Sequence, residues 1–334
     1  MPWVCVFAIF RDPDGNEFGL SDESRGRSRG PLKYDRGLGR TMTDSDPDPI
    51  RTIEAILPSR ETIEGAGVHL RRAFGHQEVP RLDPFLLLDD FRSENPAEYI
   101  AGFPWHPHRG IETVTYMLDG VVEHEDSLGN AGVIASGDVQ WMTAGNGIIH
   151  QEMPRRMEGR MGGFQLWVNL PSSHKMMDPR YQEVKAGQIP EVEAAKGVRV
   201  RVIAGRINDT RGPVQDIVVE PEYLDVRIAP RTTFDPPVKK GHRAFAYVLD
   251  GRGHFDAESG EIVDSENLVV FKDGERVRVE ALDQPLRFLL ISGKPLREPV
   301  AWWGPIVMNN RREIELAIDE YQSGTFVKHT PRTR

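Results

Sequence analysis

The sequence has little of several features that would assign the chain to a common class of protein. Cys5 is its single cysteine, so no internal disulfide can form and a reducing compartment such as the cytoplasm is expected. No apolar run approaches the ~18 residues that cross a bilayer, and the N-terminus has no signal-peptide pattern. The net charge is −9 and no run of Lys and Arg could track phosphates, which argues against membrane and nucleic-acid binding.

Residues 1–48 differ in composition from the rest of the chain. They are rich in Arg, Gly, Ser and Asp, and too poor in apolar residues to offset the entropy of ordering, so disorder is predicted. The stretch FRDPDGNEF at residues 10–18 resembles the last hairpin of a glyoxalase-type (vicinal oxygen chelate) domain, in which the Glu can bind metal. Because the rest of that fold is missing, we interpret the stretch as a fragment and Glu17 as non-functional.

From Ile50 onward, short apolar segments alternate with turn-forming residues. TVTYMLDG, VVEHEDS and GIIHQEM are separated by glycine-rich turns, a spacing typical of an all-β barrel. A polar stretch interrupts this pattern once, and an amphipathic helix is predicted after Asn310. The predicted units are an N-terminal barrel (50–172), a linker (173–190), a C-terminal barrel (191–300), a segment with the helix (301–325) and a frayed tail (326–334).

Two short clips of metal-ligand residues lie at the two ends of one predicted barrel. Residues two apart on a strand share a face, so His106 lies beside His108, and His150 beside Glu152. If the hairpins between the clips bring these faces together, three imidazoles and one carboxylate converge. The spacing therefore predicts a mononuclear metal site.

The donor types of this site restrict the metal. Nitrogen and oxygen ligands without a thiolate argue against structural zinc and against an iron–sulfur cluster. Three imidazoles and a carboxylate leave one or two positions open, as in the non-haem iron oxygenases, with one His more than their facial triad. Fe(II) is the leading candidate, while Mn, Co, Ni and Cu stay open and Zn can load any His-rich site.

Further residues near the clips are candidates for supporting roles. Glu112 follows His108 by four residues and could face the barrel interior and hold a ligand imidazole, although a structural role is the simpler interpretation. Apolar walls suit a planar aromatic ligand, and ordinary barrel core is the alternative for each residue. The candidate wall residues are Phe103, Trp105, Trp141, Met142 and Phe164.

The second predicted barrel looks like a copy of the first without its ligands. Residues 116–120 (YMLDG) match residues 247–251 (YVLDG) at an offset of 131, and aligning Gly145 with Gly274 extends the match. The four ligand positions then carry Pro237, Lys239, Val279 and Ala281. We therefore predict that the second barrel binds no metal, and we interpret His242 and His254 as structural or exposed.

Several long motifs of the first barrel resemble a known family. They are HPHRG at 106–110, ETVTY at 112–116, QWMTAG at 140–145 and HQEM at 150–153, with LDPFLLLD at 82–89 and LWVNLP at 166–171 outside the site. This chain resembles the cupin superfamily and, within it, closely resembles the pirin family over about residues 50–325. The resemblance implies two cupin (double-stranded β-helix, or jelly-roll) barrels in tandem with a short C-terminal helix, and iron held by His106, His108, His150 and Glu152.

The same resemblance implies two functions. Some pirin-like proteins resemble quercetin 2,3-dioxygenases, which open a flavonol ring with O₂ and release CO; here Glu152 could also accept the substrate proton. Others are iron-dependent regulators that bind transcription factors or metabolic enzymes. The resemblance favours a monomeric dioxygenase, the alternative being a redox-sensing protein that binds a protein partner without turnover. A storage cupin is a third class, and the intact ligand set argues against it.

Overall fold

A computed structural model describes residues 49–78, 82–256 and 259–328 of the chain. The predictions for residues 1–48, including Cys5 and Glu17, lie outside these residues, as does the tail after residue 328. Within the described ranges, no helix has both the length and the apolar character needed to cross a membrane.

The first half of the described chain is built almost entirely from β-strands. A 3₁₀ helix (His76–Glu78) and the four-residue α1 (Pro96–Tyr99) interrupt them. The strands are β1 (Ile53–Pro58), β2 (Arg60–Glu64), β3 (Val68–Phe74), β4 (Phe85–Asp90), β5 (Phe103–His108), β6 (Ile111–Asp119), β7 (Val121–Asp126), β8 (Ala131–Ala135), β9 (Val139–Thr143), β10 (Ile148–Pro154), β11 (Gly162–Asn169) and β12 (Arg180–Val184).

The second half repeats this composition and ends in a helix, α2 (Arg311–Gln322). A second 3₁₀ helix, Ala186–Gln188, precedes it. The strands are β13 (Glu191–Ala195), β14 (Val198–Ala204), β15 (Arg206–Ile207), β16 (Thr210–Arg211), β17 (Glu222–Ile228), β18 (Thr233–Phe234), β19 (Arg243–Asp250), β20 (Arg252–His254), β21 (Ile262–Asp264), β22 (Asn267–Phe271), β23 (Val279–Ala281), β24 (Leu286–Gly293), β25 (Ala301–Trp303) and β26 (Ile306–Met308).

Each half folds as a seven-stranded sheet facing a four-stranded sheet. In the N-terminal barrel the strand orders are β12-β9-β6-β11-β4-β3-β2 and β5-β10-β7-β8. In the C-terminal barrel they are β1-β22-β19-β24-β17-β14-β13 and β18-β23-β20-β21. The two pairs of orders correspond strand by strand, so the prediction of an all-β fold with two cupin barrels in tandem is confirmed.

The two barrels exchange their edge strands. Strand β1 precedes the N-terminal barrel, yet it pairs with β22, with Ile56 opposite Val269. Strand β12 lies inside the stretch predicted to be a linker, yet it pairs with β9, with Gln182 opposite Trp141. The barrel boundaries therefore differ from those predicted, because sequence alternation reveals a strand without revealing its partner, and polar residues are common on an edge strand.

The two seven-stranded sheets pack face to face and share one apolar core, to which both barrels contribute. Two buried tyrosine–carboxylate hydrogen bonds cross it. Tyr116 donates to Asp225 at 2.7 Å, and Tyr247 donates to Asp90 at 3.1 Å. These bonds are related by the internal repeat, since Tyr116 and Tyr247 are the matched residues of β6 and β19.

After the second barrel, the chain returns to the first. The amide of Val307 in β26 donates to the carbonyl of Arg109 at 3.0 Å, and α2 buries Ile314 and Ala317 against this segment. Phe326 is 1% exposed and its carbonyl accepts a hydrogen bond from the Arg109 guanidinium. The prediction that the chain frays from residue 326 is therefore wrong at Phe326.

The strand register corrects one of the two alignments between the barrels. In the N-terminal barrel Phe103 lies opposite Glu152, and in the C-terminal barrel Phe234 lies opposite Val279. Val279 therefore corresponds to Glu152, and the predicted pair of Val279 and Ala281 is shifted by two residues. The corrected counterparts of His106, His108, His150 and Glu152 are Pro237, Lys239, Val277 and Val279, which include neither an imidazole nor a carboxylate.

Candidate metal centre

The structure brings the three predicted histidines together inside the N-terminal barrel. Strands β5 and β10 are antiparallel neighbours with His106 directly opposite His150, and His108 lies on the same face as His106. One ring nitrogen of each residue belongs to a group whose members all lie within 4.8 Å of one another. This group could hold a single metal ion.

Hydrogen bonds to backbone carbonyls fix the orientation of two of these rings. Nδ1 of His106 lies 2.8 Å from the carbonyl of Pro104, and Nδ1 of His108 lies 3.3 Å from the carbonyl of Pro305. A carbonyl can only accept, so each Nδ1 carries the proton and each Nε2 presents a lone pair. The two Nε2 atoms lie 3.0 Å apart, an arrangement that a shared cation would stabilise.

Burial keeps the three imidazoles neutral. Loss of solvation lowers the pKa of His106 to about 4, and it lowers the pKa of His108 and His150 well below the usual value. Neither ring nitrogen of the buried His150 has a hydrogen-bond partner within the described part of the chain. Neutral imidazole is the form that ligates metals, and an unpartnered buried nitrogen is costly, so these residues fit a metal ion.

Glu152 lies beside this group but outside it. Its carboxylate accepts a hydrogen bond of 2.9 Å from the hydroxyl of Thr115, and burial raises its pKa to about 7. The group of mutually close ligand atoms contains the three imidazoles and not this carboxylate. The assignment of Glu152 as the fourth ligand therefore stays a prediction.

The number of available protons determines which polar groups around Glu152 donate hydrogen bonds and which accept them. The Thr115 hydroxyl lies 2.9 Å from the Glu152 carboxylate and 2.7 Å from the amide oxygen assigned to Gln165. One hydroxyl proton cannot serve both oxygens. The contacts are satisfied if the Gln165 amide is flipped, so that its nitrogen donates to Thr115 and Thr115 donates to Glu152.

A histidine and a tyrosine that the sequence analysis did not single out complete this side of the barrel. His124 lies opposite Glu152 on β7, and its ring stacks on Tyr181 at a centroid distance of 5.9 Å. Its Nε2 lies 2.8 Å from the carboxylate of Glu183. The alternation of Val122, His124 and Asp126 was the signal for an inward-facing His, whereas Tyr181 lies on a strand that was predicted to be linker.

Glu112 does not support the imidazoles. It shares its face of β6 with Val114 and Tyr116, which belong to the core between the two barrels. Its carboxylate accepts a hydrogen bond of 2.6 Å from Thr143. The structural role, which is the simpler interpretation of Glu112 from the sequence, agrees with this position, because the alternation of β6 turns the even-numbered residues toward the other barrel.

Two of the five predicted wall residues lie on the wrong face. Trp141 and Phe164 belong to the core between the barrels, on the side of the sheet away from the imidazoles. Phe164 and Trp167 lie on opposite faces of β11, and the wall prediction took the residue on the core face. Trp167 is the aromatic residue at the site, with its ring centroid 5.2 Å from that of His108 in an edge-to-face contact.

Two of the other three predicted wall residues, Phe103 and Met142, lie on or near the metal side. Met142 is fully buried in an apolar cluster that includes Trp167. The ring of Phe103 lies 6.5 Å from that of His106. Trp105 is half-buried on β5. The apolar wall beside the imidazoles therefore consists of Phe103, Met142 and Trp167.

Comparisons with known proteins agree with this arrangement. A model of the Pirin family matches residues 67–168, and a model of the Pirin C-terminal cupin domain matches residues 223–327. A Pseudomonas aeruginosa protein, named for an unproven quercetin 2,3-dioxygenase activity, is 46% identical over 79% of this chain and 93% of its own length. A pirin-like protein of Caulobacter vibrioides is 44% identical over 83% of this chain and 100% of its own length.

Solved structures show the same fold. The crystal structure of a quercetin 2,3-dioxygenase from Acinetobacter baumannii superposes with a TM-score of 0.77 at 32% identity, covering 83% of this chain and 99% of that one. The bacterial pirin YhhW of Escherichia coli, solved in complex with nickel(II), has a TM-score of 0.57 at 20% identity, covering 72% of this chain and 98% of that one. The family matches and the extent of these similarities show that the chain is a bicupin of the pirin family.

Proposed function

We propose that the N-terminal barrel is a metal-dependent dioxygenase centre of the quercetin 2,3-dioxygenase type, which cleaves a flavonol with O₂ and releases CO. The convergence of three neutral imidazoles, with the Nε2 lone pairs of His106 and His108 facing each other, carries this proposal. Similarity to proteins named for that activity supports it. Fe(II) is the metal we favour, although the same donors also accept Mn, Co, Ni, Cu or Zn.

When bound, the metal would acidify a coordinated hydroxyl group and provide the site for O₂. The protein would contribute rigid ligands, because the carbonyls of Pro104 and Pro305 hold two of the imidazole rings in one orientation. Glu152 would act as fourth ligand and, on leaving the metal, take up the proton of the flavonol hydroxyl. Thr115 would orient that carboxylate.

The apolar wall would position the substrate. Phe103, Met142 and Trp167 lie on the metal side of the barrel. Flat aromatic faces and a thioether suit the rings of a flavonol, which bury better against such groups than against charged side chains.

The test is reconstitution of the metal-free full chain with Fe(II) under anaerobic conditions, followed by quercetin and O₂. We expect the flavonol absorbance to disappear with one CO released for each quercetin consumed. His150→Ala should abolish both signals, because it removes one of three imidazole ligands.

The control is His254→Ala. This histidine lies on β20 of the other barrel, where its Nδ1 bonds to the carbonyl of Glu261. It should retain full turnover. One metal per chain without any loss of quercetin in the wild type would contradict the dioxygenase proposal.

One contact favours the alternative of a metal-dependent sensor. His108 bonds to the carbonyl of Pro305, in the C-terminal segment that packs on the first barrel. A change at the metal could therefore reach a surface far along the chain. Metal binding without turnover, accompanied by a metal-dependent change in hydrogen exchange of residues 301–328, would move the assignment to this function.

A further inference from the structure

A cavity of about 510 Å³ lies on the C-terminal barrel, away from the imidazole group. Strand β1, the start of β19, the end of β22 and the chain after β24 form its walls, together with Asp83 of the N-terminal barrel. Charged residues dominate the lining. They are Arg51, Glu54, Asp83, His242, Arg243, Lys272, Asp273 and Arg297.

The internal repeat shows that the surface around this cavity has a counterpart on the first barrel. There the C-terminal segment covers it. Gly110 and Gly241 are counterparts at the matched offset, with φ of 78° and 77°. A Cβ on Gly110 would lie 2.0 Å from the carbonyl oxygen of Val307 in the C-terminal segment, whereas a Cβ on Gly241 would meet nothing within 4 Å. The C-terminal segment thus fills the site in one barrel, and residues 49–78, 82–256 and 259–328 leave the equivalent site in the other barrel open.

The open site also has a different charge. Arg243 lies at the position that Glu112 occupies in the first barrel. Its guanidinium pairs with Glu54 at 2.7 Å, so it is close to neutralised. The carboxylate of Asp83 accepts a hydrogen bond of 2.7 Å from the backbone amide of Arg297.

Four cations and three carboxylates line the cavity, which gives a net charge of +1 with the Asp83 carboxylate counted. Arg51 pairs with Asp273 and Arg243 with Glu54, so the positive charges without a paired carboxylate belong to Lys272 and Arg297. Both side chains line the cavity and are exposed. Across residues 49–78, 82–256 and 259–328, neither side chain forms an ion pair or a hydrogen bond.

A buried arginine keeps the floor of the cavity rigid. Arg51 is 1% exposed, and its guanidinium donates to the backbone carbonyls of Lys239, His242 and Lys272 at 2.8 to 3.0 Å. It also pairs with Asp273 at 3.3 Å. The backbone that carries Lys272 is therefore fixed before any ligand arrives, which reduces the entropy lost on binding.

We propose that this cleft on the C-terminal barrel binds a small organic anion through a carboxylate or phosphate group held by Lys272 and Arg297. An arginine and a lysine are the side chains that recognise such groups, the arginine through two parallel N–H donors. Phe271 and Pro295 supply an apolar wall for the rest of the ligand. The volume is within the range of ordinary small-molecule sites. The second barrel would then bind an anion in this cleft, while the first barrel would bind a metal at its imidazoles.

The test measures binding of inorganic phosphate and, separately, of malonate to the metal-free full chain by isothermal titration calorimetry. The metal-free chain is used because both anions could otherwise coordinate the metal in the first barrel. We expect saturable binding of at least one probe at one site per chain. The preferred probe distinguishes a phosphate ligand from a carboxylate ligand.

The test variant is Lys272→Met with Arg297→Gln, and the control is Arg199→Gln with Arg311→Gln. The control also removes two positive charges, but from side chains that are 73% and 65% exposed and do not line the cleft. The test variant should weaken binding at least ~10-fold, because two charge-assisted hydrogen bonds are lost, and the control should leave it unchanged. Absence of saturable binding to the wild type, or an equal effect of both double variants, would overturn the proposal.

Discussion

At the scale of single residues, burial sets the protonation of the three imidazoles and of Glu152. Desolvation is the largest cause of the low pKa of all three imidazoles and of the raised pKa of Glu152. The two shifts have opposite consequences for stability. Acid favours the unfolded chain through the imidazoles, because they take up protons more readily when exposed to water.

The pH dependence of unfolding should reveal both groups. Metal-free wild type should lose stability as the pH falls from about 6.5 toward 4, the range between the unfolded and folded pKa of His106. Glu152 opposes this loss, since its folded pKa of about 7 exceeds its unfolded value of 4.5 and its stabilising effect therefore grows as the pH falls. Glu152→Gln should steepen the acid-side slope by about 1 kcal/mol per pH unit in urea unfolding.

An exposed carboxylate supplies the comparison for that measurement. Glu61→Gln changes a side chain that is 83% exposed, so the slope should match that of the wild type. Identical slopes for Glu152→Gln and Glu61→Gln would show that Glu152 does not titrate across this range.

At the scale of secondary-structure elements, the C-terminal segment is what distinguishes the two barrels. Strand β26 packs so closely on the first barrel that its backbone contacts the start of β6, and the buried Lys175 bridges the two through the carbonyls of Gly110 and Val307. Within the described part of the chain, the same barrel surface in the second half has no such cover. The difference can be tested at one matched pair of glycines.

Gly110→Ala should destabilise the protein far more than Gly241→Ala. Both positions have a positive φ, which costs alanine about 1 kcal/mol in either variant. Only the Gly110 variant also forces a Cβ against the carbonyl of Val307, so its free energy of unfolding should fall by roughly 2 kcal/mol more. Equal losses in urea unfolding would show that the C-terminal segment is not held against the first barrel.

The sequence predicted what depends on local spacing and missed what depends on contacts across the fold. Alternation and short spacings predicted the strands, the pairs His106–His108 and His150–Glu152, and helix α2, while the resemblance to the pirin family implied the tandem cupin barrels and the convergence of the two pairs. Alternation also separated Phe164 from Trp167, yet it could not say which of them faces the second barrel. That choice is made by the packing of two sheets, which no local pattern contains.

The linker predicted at residues 173–190 was wrong for the same reason. Strand β12 is polar because it forms an edge, and its partner β9 is some 40 residues away. Strand β1 pairs with β22 across a far longer separation. A polar strand whose partner is distant is indistinguishable from a loop when the chain is analysed segment by segment.

At the scale of the whole molecule, tyrosines of each barrel donate hydrogen bonds to ion-paired carboxylates of the other and so join the two barrels. Asp225 is fully buried, accepts the hydroxyl of Tyr116 from the other barrel and pairs through both oxygens with Arg287 at 3.0 and 2.7 Å. Arg287 holds the pKa of Asp225 below its usual value even though burial acts in the opposite direction. The pair therefore stays ionised inside the interface.

Removal of that carboxylate should destabilise the protein strongly. Asp225→Ala leaves a partly buried guanidinium and a buried hydroxyl unpaired, which should cost about 3 to 5 kcal/mol in urea unfolding. Asp235→Ala is the matched control, because Asp235 binds Arg278 with similar geometry on the surface. Its cost should stay below about 1 kcal/mol. A similar loss in both variants would show that the position of Asp225 at the interface adds nothing to stability.

The exchange of edge strands has a consequence for the order in which the protein is made. Strand β1 leaves the ribosome about 200 residues before its partner β22, which at usual elongation rates is a delay of about 10 to 40 s. Throughout that time the first barrel can close around its own strands, while Ile53–Pro58 has no sheet to join. The nascent chain thus carries an unpaired apolar strand until β22 has been made, and the second barrel completes its sheet with the earliest strand of the described residues.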